Sequence, residues 1–272
     1  MALAHASVEI PVVVPRWDIM GVSVLAGSGD DVVHELDGRL VAGERVRLTY
    51  LNAHASNLAA RNEKFSTALG AFTVLNDGVG VDIAARLLNG SAFPENLNGT
   101  DFTLRFLRKT SRHFRIFLLG AKPGVADDAA RLLETLLPQH TVVGTRDGYF
   151  VAAGAHEVVR EIKASGADLL LVAMGNPTQE FWIEEHFQAT GCRMAMCVGA
   201  LFDFLAERVP RAPRLIRQIR MEWAFRLALE PTRLWRRYLL GNPVFLARVV
   251  LARLRRRNGE RVAAAQELRR ET

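Results

Sequence analysis

Asp168–Met174, DLLLVAM, followed directly by Gly175-Asn176-Pro177, is the stretch whose reading decides the fold. After its aspartate the run is continuously apolar, with no alternation of polar residues. That is expected of a central strand in a parallel sheet covered by helices on both faces. The glycine, asparagine and proline that follow break the run.

Outward from this strand the same rhythm repeats. Val46–Leu51, Phe72–Leu75, Phe114–Leu119, Thr141–Gly144 and Met194–Val198 read as further strands. Between them, Ala53–Lys64, Val81–Leu88, Thr100–Ser111, Val125–Leu137, Gly154–Ser165 and Pro177–Thr190 read as helices, the fourth ended by Pro138. This alternation predicts an α/β fold with a mostly parallel sheet and helices on both faces. Such sheets bind ligands beyond the carboxyl ends of their strands. The loops that matter are therefore Asn52, Asn76–Gly80, Gly120–Gly124, Gly175–Glu180 and Gly199–Phe204.

The pattern changes after residue 207, which divides the chain into a core of residues 1–207 and an appendage of residues 208–272. The appendage holds 17 arginines, no lysine and 5 glutamates, against a net charge of +6 for the whole chain of 272 residues. The core is therefore acidic and the tail strongly basic, which suits a polyanionic partner: anionic lipid, nucleic acid or a phosphorylated substrate. Pro210, Pro213, Pro231 and Pro243 divide the tail into three short helical stretches. Leu215, Ile216, Ile219, Trp223 and Leu227 give the first an apolar face. Phe245, Leu246, Val249, Val250 and Leu254 do so in the third, among Arg248, Arg253, Arg255, Arg256 and Arg257. Such a helix suits a lipid headgroup boundary, or else packs on the core or a partner subunit. Beyond Asn258 a polar helix is expected. No apolar run approaches the roughly 20 residues needed to span a bilayer, so a peripheral attachment is expected rather than an integral one. The start of the chain lacks the pattern of a signal peptide. Cys192 and Cys197 offer no metal spacing or disulfide framework and read as core thiols of a reducing compartment.

Asn76-Asp77-Gly78-Val79-Gly80 joins a strand to a helix. Gly78 and Gly80 let the backbone approach a ligand, and Asn76 lies beside them. Asp77, at the strand's end, is placed either to take a proton from an acceptor hydroxyl or to support the turn. Asp82 lies inside the helix start and reads as structural. Gly120-Ala121-Lys122-Pro123-Gly124 resembles a phosphate cradle without matching the P-loop or dinucleotide fingerprints. In Gly175-Asn176-Pro177-Thr178-Gln179-Glu180 the side chains of Asn176, Thr178 and Gln179 can hydrogen-bond a sugar or a nucleobase, and Thr100 either caps its helix or contacts ligand. The seven histidines lack zinc-site spacing. No D-x-D is present to hold a divalent metal on a diphosphate, so neither metal nor cofactor is expected. The tail arginines are then the cations available to a leaving group.

Six segments together, LNDGVGVD, NGTDF, FLLGAKPGVA, GNPTQEFWI, CVGALFDFLAERVPRAP and EWAFRLALEPTRLWRRY, resemble the WecG/TagA/CpsF glycosyltransferases from about Gly21 to Phe245. The resemblance implies a Rossmann-like core and a helical C-terminal appendage that helps complete the active site. It implies inverting, metal-independent transfer from a UDP-sugar to a polyprenyl-diphosphate-linked saccharide, at the cytoplasmic face of the bacterial inner membrane. By the same carry-over Asp77 is the base, and Arg226, Arg233 and Arg236 are the appendage arginines. Asn52 and Gln179 fall on binding positions, joined by Asn76, Gly78, Gly80, Thr100, Gly120 and Gly175 from the loop reading. Where the family often has threonine two residues before the asparagine, this chain has Tyr50, with Thr49 one position off. The implied donor is of the UDP-N-acetylmannosamine or UDP-glucose class, with a lean toward an exopolysaccharide hexosyltransferase. The implied partners are the lipid-linked acceptor and an anionic membrane surface, not nucleic acid, and a homo-oligomer is compatible with them. Two other readings stand beside this one: a non-enzymatic nucleotide-binding module, and nucleic-acid binding through the tail.

Overall fold

The structure is a computed structural model that describes residues 13–151, 154–213, 215–216 and 221–268, with side chains to residue 258. Ile219, expected on the first apolar stripe of the tail, lies outside the described residues. The described residues begin with a hairpin, β1 (Arg16–Ile19) and β2 (Val22–Leu25), and a helix, α1 (Gly29–Val41). Then follow β3 (Val46–Leu51), α2 (Ala53–Ala59), α3 (Glu63–Leu69), β4 (Thr73–Asn76), α4 (Val79–Asn89) and α5 (Gly99–Lys109). The second half runs β5 (Arg115–Gly120), α6 (Val125–Leu136), β6 (Thr141–Arg146), α7 (Ala155–Ser165), β7 (Leu169–Ala173), α8 (Thr178–Thr190), β8 (Met194–Cys197) and α9 (Leu201–Leu205). The appendage holds α10 (Glu222–Leu229), α11 (Pro231–Trp235), a π turn (Arg236–Leu240) and α12 (Gly241–Leu268).

The eight strands form one sheet in the order β1-β2-β4-β3-β8-β7-β5-β6. Only the β1–β2 pair is antiparallel. The decisive strand β7 is buried at every position. Leu169, Leu171 and Ala173 join the apolar cluster on one face and Leu170 and Val172 that on the other, as the two-residue period of a strand dictates. Strands of the chain's first half (β4, β3) meet strands of its second half (β8, β7) at the sheet centre, and their carboxyl ends open on one side.

The N-terminal hairpin and α1, which no expectation covered, carry no continuous apolar run. α1 is identifiable from its capping box, in which Ser28 and Asp31 each satisfy the other's backbone N–H. Two expectations are corrected. The helix expected over Ala53–Lys64 is two, because Asn62 leaves helical geometry and its Oδ1 accepts from Phe65 N at 3.0 Å, starting α3 afresh. Pro243 does not divide the tail, since the chain stays helical from Pro231 to Leu268. Proline removes an N–H and crowds the carbonyl one turn back. It sits here in the first turn of α12, just after the π turn has already loosened the ladder.

α12 is two-faced. Phe245 and Val249 are fully buried in the cluster that also holds Val81, Ala84 and Ala85 of α4 and Ala55 of α2. The tail helix thus packs on the core with part of the stripe that suggested lipid. Arg248 adds hydrogen bonds to Ser56 O and Asn57 Oδ1, and Arg256 reaches Asp18. On the opposite side Leu240, Val244, Val250, Leu251 and Leu254 are exposed. Phe245→Ala is expected to cost about 3–5 kcal/mol, the range for emptying a buried aromatic site, read as a fall in the denaturant midpoint. A loss below about 1 kcal/mol would show that α12 docks only loosely.

Candidate active site

A cleft of about 1040 Å³ lies beyond the carboxyl ends of β3, β4, β5, β7 and β8 and is closed on one side by α10, α11 and the π turn. Asp77 lines it one residue past β4. Its backbone N–H donates to Leu51 O at 2.9 Å, locking the loop to β3. Asn52 caps α2 through Oδ1, which accepts from Ala55 N, while its Nδ2 donates to Asp77 Oδ2 at 3.1 Å. The asparagine therefore orients the aspartate. Among the described residues, Asp77 Oδ1 makes no hydrogen bond. Gly78 takes φ +90°, and its N–H donates to Asn96 Oδ1 at 2.7 Å, so the loop before α5 braces the aspartate turn.

Of the residues singled out in the sequence, Asn52, Asp77, Gly78, Gly80, Thr100, Gly175, Gln179, Arg226 and Arg233 line this cleft. Three do not. Asn76 is fully buried, with Nδ2 donating to Glu95 O, and holds the neighbouring loop from beneath. Gly120 is needed for packing: a Cβ there would lie 2.4 Å from Ala173 O on the adjacent strand. Arg236 points away and stacks over Trp235, 5.3 Å from the ring centroid, whereas Arg237 lines the cleft. In an α-helix the third and fourth residues along both lie on the face of Arg233, and the wider π turn that begins at Arg236 favours the fourth. Thr100 is not the cap of α5; Asn98 is, with Oδ1 accepting from Asp101 N.

Gln179 uses one acceptor site and one donor within the protein. Its Oε1 accepts from Gly175 N and its Nε2 donates to Glu180 Oε1, both at 3.1 Å. The same Glu180 oxygen accepts from Thr49 Oγ1 and Asn176 Nδ2. Burial pushes the Glu180 carboxyl up against these three donors. Thr49 thus serves a buried carboxyl, and Tyr50 faces the cleft. The Tyr50 ring packs on the Gly99 backbone, where a Cβ would sit 3.1 Å from it, and its hydroxyl lies 3.4 Å from Thr103 Oγ1.

Burial raises the Asp203 carboxyl, while Arg233, Arg226 and Lys122 pull it back, so these four groups are neighbours. Arg226 lies over the Phe204 ring at 5.8 Å, and its Nε is buried without a partner. Arg233 pairs with Glu230 at 2.6 Å. Elsewhere in the cleft, burial and the Arg237 charge push His54 down to about 4. Glu222 is raised by burial, with Arg211 opposing. Among the described residues, no group of three or more His, Cys, Asp or Glu side chains could hold a metal ion. Lys122, Asp203, Glu222, Arg237 and His54 were missed as individual site residues. Lys122 and Asp203 lie in the predicted Gly120–Gly124 and Gly199–Phe204 loops, and Glu222 and Arg237 in the EWAFRLALEPTRLWRRY segment, whereas His54 carried no signal of its own.

Comparison with known proteins gives a family and a relative. The sequence model described as Glycosyl transferase WecG/TagA/CpsF family matches residues 17–259. A curated relative from Bacillus spizizenii is named N-acetylglucosaminyldiphosphoundecaprenol N-acetyl-beta-D-mannosaminyltransferase. It is 30% identical over 194 residues, which span 71% of this chain and 74% of the relative.

Proposed function

This chain belongs to the WecG/TagA/CpsF family and is a glycosyltransferase. From that premise we propose that it moves a sugar, with inversion, from a UDP-sugar to a saccharide carried on a polyprenyl diphosphate at the cytoplasmic membrane face. The observation that carries this reading is the pairing, in one cleft, of an oriented carboxylate with cations contributed by the appendage.

Asp77 Oδ1 takes the proton of the acceptor hydroxyl as its oxygen bonds to the anomeric carbon. The bond from that carbon to the β-phosphate oxygen breaks on the opposite face, and UDP leaves with the electron pair. Arg226 and Arg233, with Lys122, stabilise the charge that grows on the leaving diphosphate. The N-acetylmannosamine donor of the Bacillus relative makes UDP-N-acetylmannosamine the first donor to test, and UDP-glucose the second. The exposed stripe Leu240–Leu254, flanked by Arg253, Arg255 and Arg257, suits insertion beside anionic headgroups. No helix among the described residues is long and apolar enough to cross a membrane.

The test is UDP release across a panel of UDP-sugars, with polyprenyl-diphosphate N-acetylglucosamine in anionic vesicles as acceptor. Release that needs the acceptor, with one preferred sugar and an unchanged rate in EDTA, is expected. Loss of activity in EDTA restored by Mg²⁺ would remove the metal-free mechanism. UDP binding without transfer of any sugar would favour a non-enzymatic nucleotide-binding module.

A further inference from the structure

A transfer of this kind brings two diphosphates into one cleft, that of the donor and that of the lipid-linked acceptor. Resting on the function proposed above, we propose that His54 and Arg237 form the acceptor-diphosphate subsite, separate from the donor centre at Arg226, Arg233 and Lys122.

Three observations carry the assignment. The first is separation. Lys122, Arg226 and Arg233 act on Asp203, whereas the charge acting on His54 is Arg237. His54 stands two residues after Asn52, the residue that orients Asp77, and so belongs to the β3–β4 end of the sheet. Lys122 follows β5, beyond β8 and β7.

The second is unmet bonding. Arg237 Nε is buried without a hydrogen-bond partner. An arginine presents a planar fork suited to phosphoryl oxygens. His54 makes no hydrogen bond among the described residues, although it is largely buried. Its imidazole stays neutral because burial and Arg237 both disfavour a second proton. A phosphoryl oxygen set between the two would accept from the Arg237 guanidinium and from the N–H of the neutral His54 ring.

The third is direction. Arg237 is followed within one helical turn by exposed Leu239 and Leu240, and then by Val244, Leu251 and Leu254. A prenyl chain leaving a diphosphate held at Arg237 meets that apolar stripe at once. A free nucleotide has no use for it. The acceptor sugar, on the other side of the diphosphate, is left facing Asp77.

The test measures the acceptor and the donor separately in the full chain. In His54→Gln and Arg237→Gln the KM for polyprenyl-diphosphate N-acetylglucosamine is expected to rise roughly tenfold, the effect of losing one charge-assisted hydrogen bond, with UDP affinity unchanged. Arg226→Gln should show the reverse, weaker UDP binding at an unchanged acceptor KM. A wild-type acceptor KM in both His54→Gln and Arg237→Gln, or UDP binding weakened in both, would overturn the subsite. Calorimetry with inorganic pyrophosphate on UDP-saturated protein gives a readout independent of turnover. One pyrophosphate should bind to the wild type and roughly tenfold more weakly to Arg237→Gln, with the thermal midpoint of the variant reporting that it is folded. If no sugar is transferred but pyrophosphate still binds in this way, the transferase reading fails and the second anion site stands. If UDP-loaded wild type binds no pyrophosphate, the subsite falls whatever the transfer activity.

Discussion

Asp77→Asn is expected to lower kcat by about 10²–10⁴-fold, the usual contribution of a positioned general base, while UDP still binds. The substitution keeps shape and polarity. The Asn52 amide that donates to Asp77 Oδ2 can donate equally to an asparagine oxygen, so the turn between β4 and α4 stays in place. What is lost is the free oxygen that accepts the acceptor's proton. Asn52→Ala separates positioning from chemistry: the carboxylate remains but loses its brace, so the fall in kcat should be smaller. An Asp77→Asn enzyme that transfers sugar near the wild-type rate would remove Asp77 as the base.

The second large effect is expected at the donor centre. Arg226→Gln and Arg233→Gln should each cost about 10²–10³-fold in kcat, as when one group stabilising transition-state charge is removed. The burden differs between them. Arg226 is half-buried, with an Nε that has no partner inside the protein, so its loss removes a donor already desolvated. Arg233 is exposed and paired with Glu230, so its loss also uncovers a carboxylate beside the leaving diphosphate. Arg236→Gln is the internal comparison. Its side chain stacks on Trp235 outside the cleft, and its activity should stay near wild type. Equal losses at Arg236 and Arg233 would show that the π turn does not select Arg237 over Arg236.

The parallel sheet was legible because β7, β8 and, past its exposed Arg115, β5 are buried on both faces and carry no polar side chain there. The hairpin was not, because β1 lies at an edge where Arg16 and Asp18 face solvent and blur the pattern. Asp77, Arg226 and Arg233 were legible through local motif. His54 was not, since nothing around it in sequence shows that a tail residue 183 positions later comes to lie beside it. Gln179 lines the cleft as its loop suggested, and its bonds to Gly175 and Glu180, which brace that loop, had no sequence signal. The apolar stripe of the tail was visible, but the division of its residues between core and exterior depends on how α12 is rolled against α2 and α4.

That roll has a consequence for how the protein is made. Arg248 bonds Asn57 across 191 residues, and Phe245 fills a cluster begun by α2 and α4. At a synthesis rate of about 5–20 residues per second, the early helices wait on the order of 10–40 s for the residues that cover them. The first third of the molecule therefore leaves the ribosome with an uncovered apolar flank, and one of the last helices to be made seals it. A nascent chain halted before residue 240 should be readily cut by protease in the α2–α4 region, and one released at full length should resist.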